Sequence, residues 1–578
     1  MKYLTRLPLA LITAGLCPLA QAAEWTSGSA TAAHCEQLAP QMSERWPDRS
    51  TRVISVKWQP AGPIMVMNLG GPPSAIAAPD HCELIGEMQS RSGANGQHYA
   101  IRFHLRMPAQ WNRRFYFQGG GGSNGVLGDA LGRYSQSAAP ALLQGFAVVS
   151  QDSGHDNQTN NDASRGGEIT FGFDQTARVN YGHASLPRVA DAAKAAIRQF
   201  YGASAAHSYF VGCSKGGQEA LAAAERYGRE FDGIASGDPA MSLPRAAIAE
   251  AWNTQTFARL VRAQPGSPIT VDQLQTVMTN EDFERLRAAV LSACDAADGV
   301  SDGIVGDFEH CTTQHVWPAL EALKCAAGQS DHCLSSAKID ALVRVIKGPV
   351  DSHGKALYSD FPWDASIAAP GWRMWNLGSV MPPIPILNVV LGGPSLATVF
   401  TTPPTTINGN PPSALQFLLQ FDFDKDAPKI YASDAAFPTS GWDNVSARSA
   451  DLSLFRAHHG RLIVFHGSAD PIFSINDTIA WWNEVDRGNG GRASGFVRLF
   501  PVPGMNHCFG GDATDQFDVL APLVDWVERN KAPEQIMASA DPMSPWPKRT
   551  RPLCPYPRIA RYRGTGDVDT ASSFECRR

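Results

Sequence analysis

Gly212-Cys213-Ser214-Lys215-Gly216 follows directly on the apolar run Tyr209-Phe210-Val211. A serine centred in Gly-x-Ser-x-Gly between a buried strand and a helix constrains the fold more than any other stretch of this chain. The turn must be sharp enough to lift the hydroxyl above the sheet edge, and only small flanking residues let a strained backbone pass there. Such a pentapeptide also arises by chance, so its meaning depends on its surroundings. The cysteine beside the serine is unusual, and His507-Cys508 repeats the pairing far downstream.

The surroundings read as alternating strands and helices. Arg114-Phe115-Tyr116-Phe117, Phe146 to Ser150, Tyr209 to Gly212 and Leu462 to Phe465 are short apolar runs of the kind that fill a buried parallel sheet. Between them, Val189, Ala192, Ala193, Ala196, Ile197 and Phe200 recur at helical spacing from Arg188 to Tyr201, and Gly202 ends the helix. Strands separated by helices imply a doubly wound α/β sheet. With 578 residues the chain is too long for one ordinary core. From about Ala240 to Ser449 proline and glycine become frequent, Pro382-Pro383-Ile384-Pro385 and Pro403-Pro404 interrupt the pattern, and aromatic residues lose strand periodicity. The expected organisation is a signal peptide at 1–22, an α/β-hydrolase core at 23–239 and 451–578, and a large lid domain inserted at 240–450.

Charge is near balance at −6 with 18% charged residues, which leaves no basic face for nucleic acid. A basic start (Met1 to Arg6), an apolar stretch from Leu7 to Leu19 and Ala20-Gln21-Ala22 have the form of a secretory signal cut after Ala22. Leu16 before Cys17 argues against a lipoprotein anchor, and no later apolar run is long enough to span a bilayer. The mature chain is expected to be exported, secreted or periplasmic, free of the membrane and monomeric. It retains Cys35, Cys82, Cys213, Cys294, Cys311, Cys325, Cys333, Cys508, Cys554 and Cys576. Their even number and the absence of any Cys-x-x-Cys pair favour disulfides over metal sites, without deciding which cysteines pair.

In a hydrolase of this type the acid and the base follow the nucleophile in that order. Asp470 lies in the turn His466-Gly467-Ser468-Ala469-Asp470-Pro471 after the Leu462 to Phe465 strand. His507 lies in the loop after Phe496 to Phe500, a strand expected to stop where Pro501, Pro503 and Gly504 begin. Alone, Asp470 reads as a turn aspartate and His507 as a loop histidine; together with Ser214, in this order and setting, they read as a triad. His466 is expected to pack beneath the turn. Two oxyanion donors are expected: the amide of Lys215, and that of Gly122 in the loop Gly119 to Gly125. That loop lacks the Gly-Lys-Ser/Thr ending of a phosphate cradle.

Cys294-Asp295-Ala296-Ala297-Asp298-Gly299-Val300-Ser301-Asp302-Gly303-Ile304 is a second constellation. Its three carboxylates and intervening carbonyls suit a hard cation such as calcium, although the spacing is not that of an EF-hand and acidic Asp-Gly loops are commonly solvated turns.

The pairing of Cys213-Ser214 with Asp470 and His507-Cys508 resembles the tannase and feruloyl esterase family. Gly154-His155-Asp156-Asn157, Gly371-Trp372-Arg373, Gly504 to Cys508 and Arg551 to Pro557 extend the likeness over nearly the whole mature chain. The resemblance implies disulfides Cys35 with Cys82, Cys213 with Cys508, Cys294 with Cys311, Cys325 with Cys333 and Cys554 with Cys576. It also implies a structural Ca2+ held by Asp295, Asp298, Asp302 and the carbonyls of Val300 and Ile304, no organic cofactor, and a small aromatic ester as substrate. Trp375 and Phe400 could line a slot for the acyl ring or pack the lid's own core. Feruloyl, galloyl and mono(2-hydroxyethyl) terephthalate-like esters are the rival substrates. Recognition of the terephthalate half-ester within the family implies a lid arginine shortly before Phe400-Thr401-Thr402-Pro403-Pro404, and Gly392 to Val399 contains none. The reading from another class is a secreted polymer-binding protein on a non-catalytic hydrolase fold.

Overall fold

Consecutive residues of the central apolar runs point to opposite faces of one sheet, which is why both faces are buried. Phe115, Phe117, Phe210, Leu462 and Val464 join the core on one side, and Tyr116, Tyr209, Val211, Ile463 and Phe465 join the core on the other. The structure is a computed structural model describing residues 30–578 except 69–70, 135–137, 263–265 and 330. The expected signal peptide lies outside the described residues.

The strands are β1 (Arg52–Gln59), β2 (Gly62–Asn68), β3 (Gly71–Ala78), β4 (His81–Ser92), β5 (His98–Pro108) and β6 (Arg114–Gln118). They continue with β7 (Ala147–Gln151), β8 (His207–Cys213), β9 (Gly233–Gly237), β10 (Arg461–Gly467) and β11 (Val497–Val502), and five short strands from Gln516 onward form two small separate sheets. Nine of them form one sheet in the order β1-β4-β5-β7-β6-β8-β9-β10-β11, while β2 and β3 pair separately. From β7 to β11 every neighbouring pair is parallel, and β1, β4, β5 and β7 pair antiparallel. This is the α/β-hydrolase fold, with the serine at the end of the central strand β8.

The helix expected from Arg188 begins earlier, at Ser185, as the continuation of a wider turn over Asn180–Ala184. It ends as expected at Gly202, whose φ of 69° closes the helix in the left-handed conformation. The stop expected at Pro501 is corrected: β11 runs through Pro501 to Val502. Within the sheet β11 pairs only with β10, and an edge strand tolerates a residue without an N–H. Between β9 and β10 the described residues form helices and turns and contribute no strand to any sheet. All five disulfides implied by the family resemblance are present.

Phe210 is fully buried, stacks on Phe117 with ring centroids 4.8 Å apart and meets Phe231 edge-on at 5.3 Å. Phe210→Ala would leave a cavity beneath the nucleophile strand. A loss of about 3 to 5 kcal/mol is expected in denaturant titration, and a loss under about 1 kcal/mol would mean the core closes over the gap.

Candidate active site

Ser214 takes φ 64° and ψ −124°, a conformation rarely open to a residue with a side chain. Its neighbours make the turn feasible. A Cβ on Gly212 would lie 2.5 Å from the carbonyl oxygen of Gly216, and one on Gly216 would lie 2.6 Å from that of Gly120. The Ser214 amide donates to Gly237 O at 3.0 Å, tying the turn to the end of β9.

The structure brings the three expected residues into one line. His507 Nε2 is 2.8 Å from Ser214 Oγ, and His507 Nδ1 is 2.7 Å from Asp470 Oδ2. A carboxylate only accepts, so Nδ1 carries the hydrogen and Nε2 faces the serine hydroxyl as an acceptor. Asp470 Oδ1 accepts from the amides of Ile472 (2.8 Å) and Phe473 (3.0 Å). Burial alone would raise the Asp470 carboxyl, but the neighbouring His507 and His466 outweigh it and hold the group well below the usual carboxylate range. His466 is fully buried beneath the turn, with Nε2 2.9 Å from Phe473 O and Nδ1 2.9 Å from Thr478 Oγ1.

Lys215 and the glycine loop adjoin the serine turn. The Lys215 amide opens the helix Lys215–Arg226 and so has no carbonyl within that helix to bond. Its side chain turns inward: Nζ is 2.6 Å from Gln218 Oε1, 3.2 Å from Glu219 Oε1 and 4.5 Å above the Tyr181 ring. Glu219 in turn accepts from the Gly120 amide (2.9 Å) and Asn124 Nδ2 (2.6 Å), so the buried ion pair anchors the glycine loop. In that loop the amides of Gly119, Gly120, Asn124 and Gly125 are engaged, whereas among the described residues those of Gly121, Gly122 and Ser123 donate to no partner. Gly122 is exposed with φ 57°. The Gly154 to Asn157 motif braces the loop from behind: His155 Nε2 is 3.0 Å from Ser123 O, and Asn157 Nδ2 donates to Asn124 O at 2.9 Å.

Of the two ring-binding candidates, Trp375 meets His507 edge-on with centroids 5.5 Å apart. Phe400 is only 1% exposed, packed within the hydrophobic core, and makes no ring contact with His507 or Trp375. Phe473 was not singled out from the sequence, yet it meets His507 at 5.1 Å on another side. Its position three residues after Asp470 was the available signal. Arg373 is committed elsewhere, donating to Met278 O (3.0 Å) and Gln275 O (2.9 Å).

In the acidic loop, Asp298 and Asp302 border a cavity of about 30 Å³ together with Ile304 and Gly306. Burial, then the nearby Asp302, raises Asp298 to about 7, the mark of carboxyls crowded without enough positive charge. A Cβ on Gly306 would lie 2.2 Å from Asp298 Oδ2, so that glycine keeps the space open. Asp295 Oδ1 accepts from the amides of Asp302 (3.0 Å) and Gly303 (3.2 Å), and Arg551 pairs with Asp302 Oδ2. The three carboxylates do not all converge within 4.8 Å of one another. The oxygens of Asp298 and Asp302 fit a hard cation in the cavity, while Asp295 chiefly shapes the loop.

A serine on a strained strand-to-helix turn, a histidine and a carboxylate in line, and free amides in the adjoining loop define a hydrolase of the α/β class. The family model for "Tannase and feruloyl esterase" matches residues 82–577. The chain belongs to that family, and with it to the carboxylic ester hydrolases. It is 39% identical over 567 residues to a mono(2-hydroxyethyl) terephthalate hydrolase of Piscinibacter sakaiensis, covering 95% of this chain and 92% of that protein. It is 28% identical to a probable feruloyl esterase of Arthroderma benhamiae, with 84% of each covered. The crystal structure of feruloyl esterase B from Aspergillus oryzae shares the fold with a TM-score of 0.73 at 23% identity, over 94% of this chain and 99% of that one.

The Cys213–Cys508 bridge joins the residue before Ser214 to the residue after His507 with the two Cα atoms 6.1 Å apart, and it spans 295 residues of chain. A loop of that size contributes about 5 to 6 kcal/mol in the chain-entropy picture. Replacing both cysteines with alanine is expected to lower ester turnover at least about tenfold while circular dichroism stays unchanged. Full turnover in a folded double variant would mean the bridge does not position the histidine.

Proposed function

We propose that the protein is an exported serine esterase that hydrolyses esters of aromatic acids through an acyl-enzyme. The carrying observation is the line from Ser214 Oγ through His507 to Asp470. In this reading Ser214 Oγ attacks the ester carbonyl carbon while His507 Nε2 takes its proton. The amides of Lys215 and Gly122 hold the oxyanion. His507 then protonates the departing alkoxide, and the alcohol leaves. A water, giving its proton to the same nitrogen, attacks the acyl carbonyl; the aromatic acid departs and the proton returns to Ser214. Asp470 stays ionised throughout and stabilises the imidazolium. The enzyme is proposed to act as a monomer. Five disulfides support export.

Trp375 and Phe473 flank His507 and support an aromatic acyl group. The stretch Gly392 to Val399 offers no arginine for a second carboxylate. The buried carboxyl of Glu250 lies against it instead: a Cβ on Gly392 would sit 1.4 Å from Glu250 Oε2. This favours feruloyl or galloyl esters. The relative that is 39% identical favours the terephthalate half-ester as the second reading.

A fluorophosphonate probe should label the wild-type chain and not Ser214→Ala; labelling that survives the substitution, or none at all, counts for a polymer-binding protein instead. In a panel of methyl ferulate, methyl gallate and the terephthalate half-ester, one of the first two should lead in kcat/KM by about tenfold or more. A lead for the half-ester would overturn that ranking.

The acidic loop is proposed to bind Ca2+ through Asp298, Asp302 and the carbonyls of Val300 and Ile304, with Asp295 in support, for stability alone. When bound, the cation would neutralise the crowded carboxylates. Without it, Asp298 titrates near 7 when folded against 3.8 ordinarily, so the folded state binds more protons than the unfolded one across that interval. Stability is then lost as pH rises from about 4 to about 7. Calcium should therefore raise the melting temperature more at about pH 7.5 than at about pH 5. A melting temperature indifferent to chelator at both values would remove the site.

A further inference from the structure

Asp238 is a buried carboxyl that the ester-cleaving chemistry leaves without a task. It follows β9 directly, with φ 34° and no exposure to solvent. Its amide donates to Phe465 O at 2.9 Å, and its Oδ1 accepts from the Gly467 amide at 2.9 Å, so it is bound twice to β10. Its Oδ2 lies 3.6 Å from Cys213 Sγ, which is oxidised and has no proton to give. The Cys508 amide faces the same carboxyl. One side chain thus touches the ends of the strands that carry Ser214 and Asp470, and the loop that carries His507.

Two ionisable groups face it. His466 Nε2 is 3.8 Å from Asp238 Oδ1 and 3.6 Å from Asp470 Oδ2, and the three residues place ligand atoms within 4.8 Å of one another. No lysine or arginine pairs with Asp238 among the described residues. Phe473 O requires a hydrogen on His466 Nε2, and the Thr478 hydroxyl can donate to Nδ1, so a neutral imidazole satisfies both contacts. Two carboxylates this close and out of water cannot both be charged. Asp470 accepts from His507 and from two amides, and is the one that keeps its charge. The same division follows from the electrostatics: burial, then the charge of Asp470, pushes Asp238 well above the carboxylate range.

We infer that Asp238 is a positioning residue, a neutral acid that donates its O–H to the Asp470 carboxylate and thereby fixes the oxygen aimed at His507. The arrangement is a line of four, Asp238, Asp470, His507 and Ser214, in which the Asp238 proton stays on its own oxygen at every step. The inference rests on the esterase reading above.

The conservative replacement is the decisive one. In Asp238→Asn the amide NH2 can still donate to Asp470 while the amide oxygen accepts from Gly467. The variant should keep kcat within about threefold of wild type, with the acid limb of the pH profile in place. Asp238→Ala should lose about tenfold or more in kcat with little change in KM, because nothing that touches substrate has moved. An infrared band of a protonated carboxyl, present in wild type and absent from Asp238→Asn, would support the assignment even where the alanine variant fails to fold. An ionised Asp238 would give the opposite: Asp238→Asn as impaired as Asp238→Ala, or its acid limb displaced by about a pH unit, or no such band. An inactive, unlabelled wild-type chain would instead overturn the esterase reading, and so the two failures are distinguishable.

Discussion

The left-handed turn at Ser214 is the constraint on which the site depends. A non-glycine residue held there costs of order 1 to 3 kcal/mol, and the surroundings must over-determine it. They do so from several directions. The Ser214 carbonyl accepts from Gln218 N and Ala240 N, its amide is held by Gly237 O, and the glycines on both sides leave no room for alternatives. Cys213, immediately before the turn, is covalently fixed to Cys508, which is itself left-handed at φ 65°. Two strained turns on distant parts of the chain are thus held against each other by a bond, and the hydrogen bond between Ser214 and His507 lies between them.

The segment between β9 and β10 also supports this arrangement. Ser468 Oγ donates to Asp364 Oδ2 at 2.7 Å and accepts from the Gly504 amide at 2.7 Å, linking the acid turn, the histidine loop and that segment through one hydroxyl. Ser366 Oγ accepts from the Asp512 amide at 2.7 Å, and Asn506 Nδ2 donates to Ala469 O and Ser366 O. The loops bearing Asp470 and His507 therefore rest on the segment that also carries Trp375. Substrate recognition and the alignment of the acid with the base are coupled through the same few residues.

The central parallel strands and the line of Ser214, Asp470 and His507 were legible because each leaves a local mark: an apolar run, a glycine pair, a turn after a strand. The antiparallel strands β1, β4 and β5 were not. β1 alternates exposed and half-buried residues without a continuous apolar run, and its pairing with β4 depends on residues far along the chain. Disulfide pairing was closed to the residues themselves, since it depends on which chain ends meet in space, and became readable only through family likeness. Phe473 and Asp238 escaped for another reason. A phenylalanine after a turn and an aspartate after a strand look ordinary in sequence, and only their distances to His507 and Asp470 give them a role.

Charge behind the site is distributed with one purpose. On the glycine-loop side, Lys215 and Glu219 pair in the interior; burial holds the lysine below its usual range, and the glutamate offsets only part of that. On the other side Asp238, holding a proton, adds no charge beside Asp470. Asp470 is left as the one carboxylate at the centre without a permanent cation, at a depth where 1% of its side chain meets solvent. When the hydroxyl proton passes to His507, the imidazolium forms 2.7 Å from that carboxylate with little water between them to screen it. The counter-charge is in position before the reaction begins, so the protein need not reorganise when the charge appears.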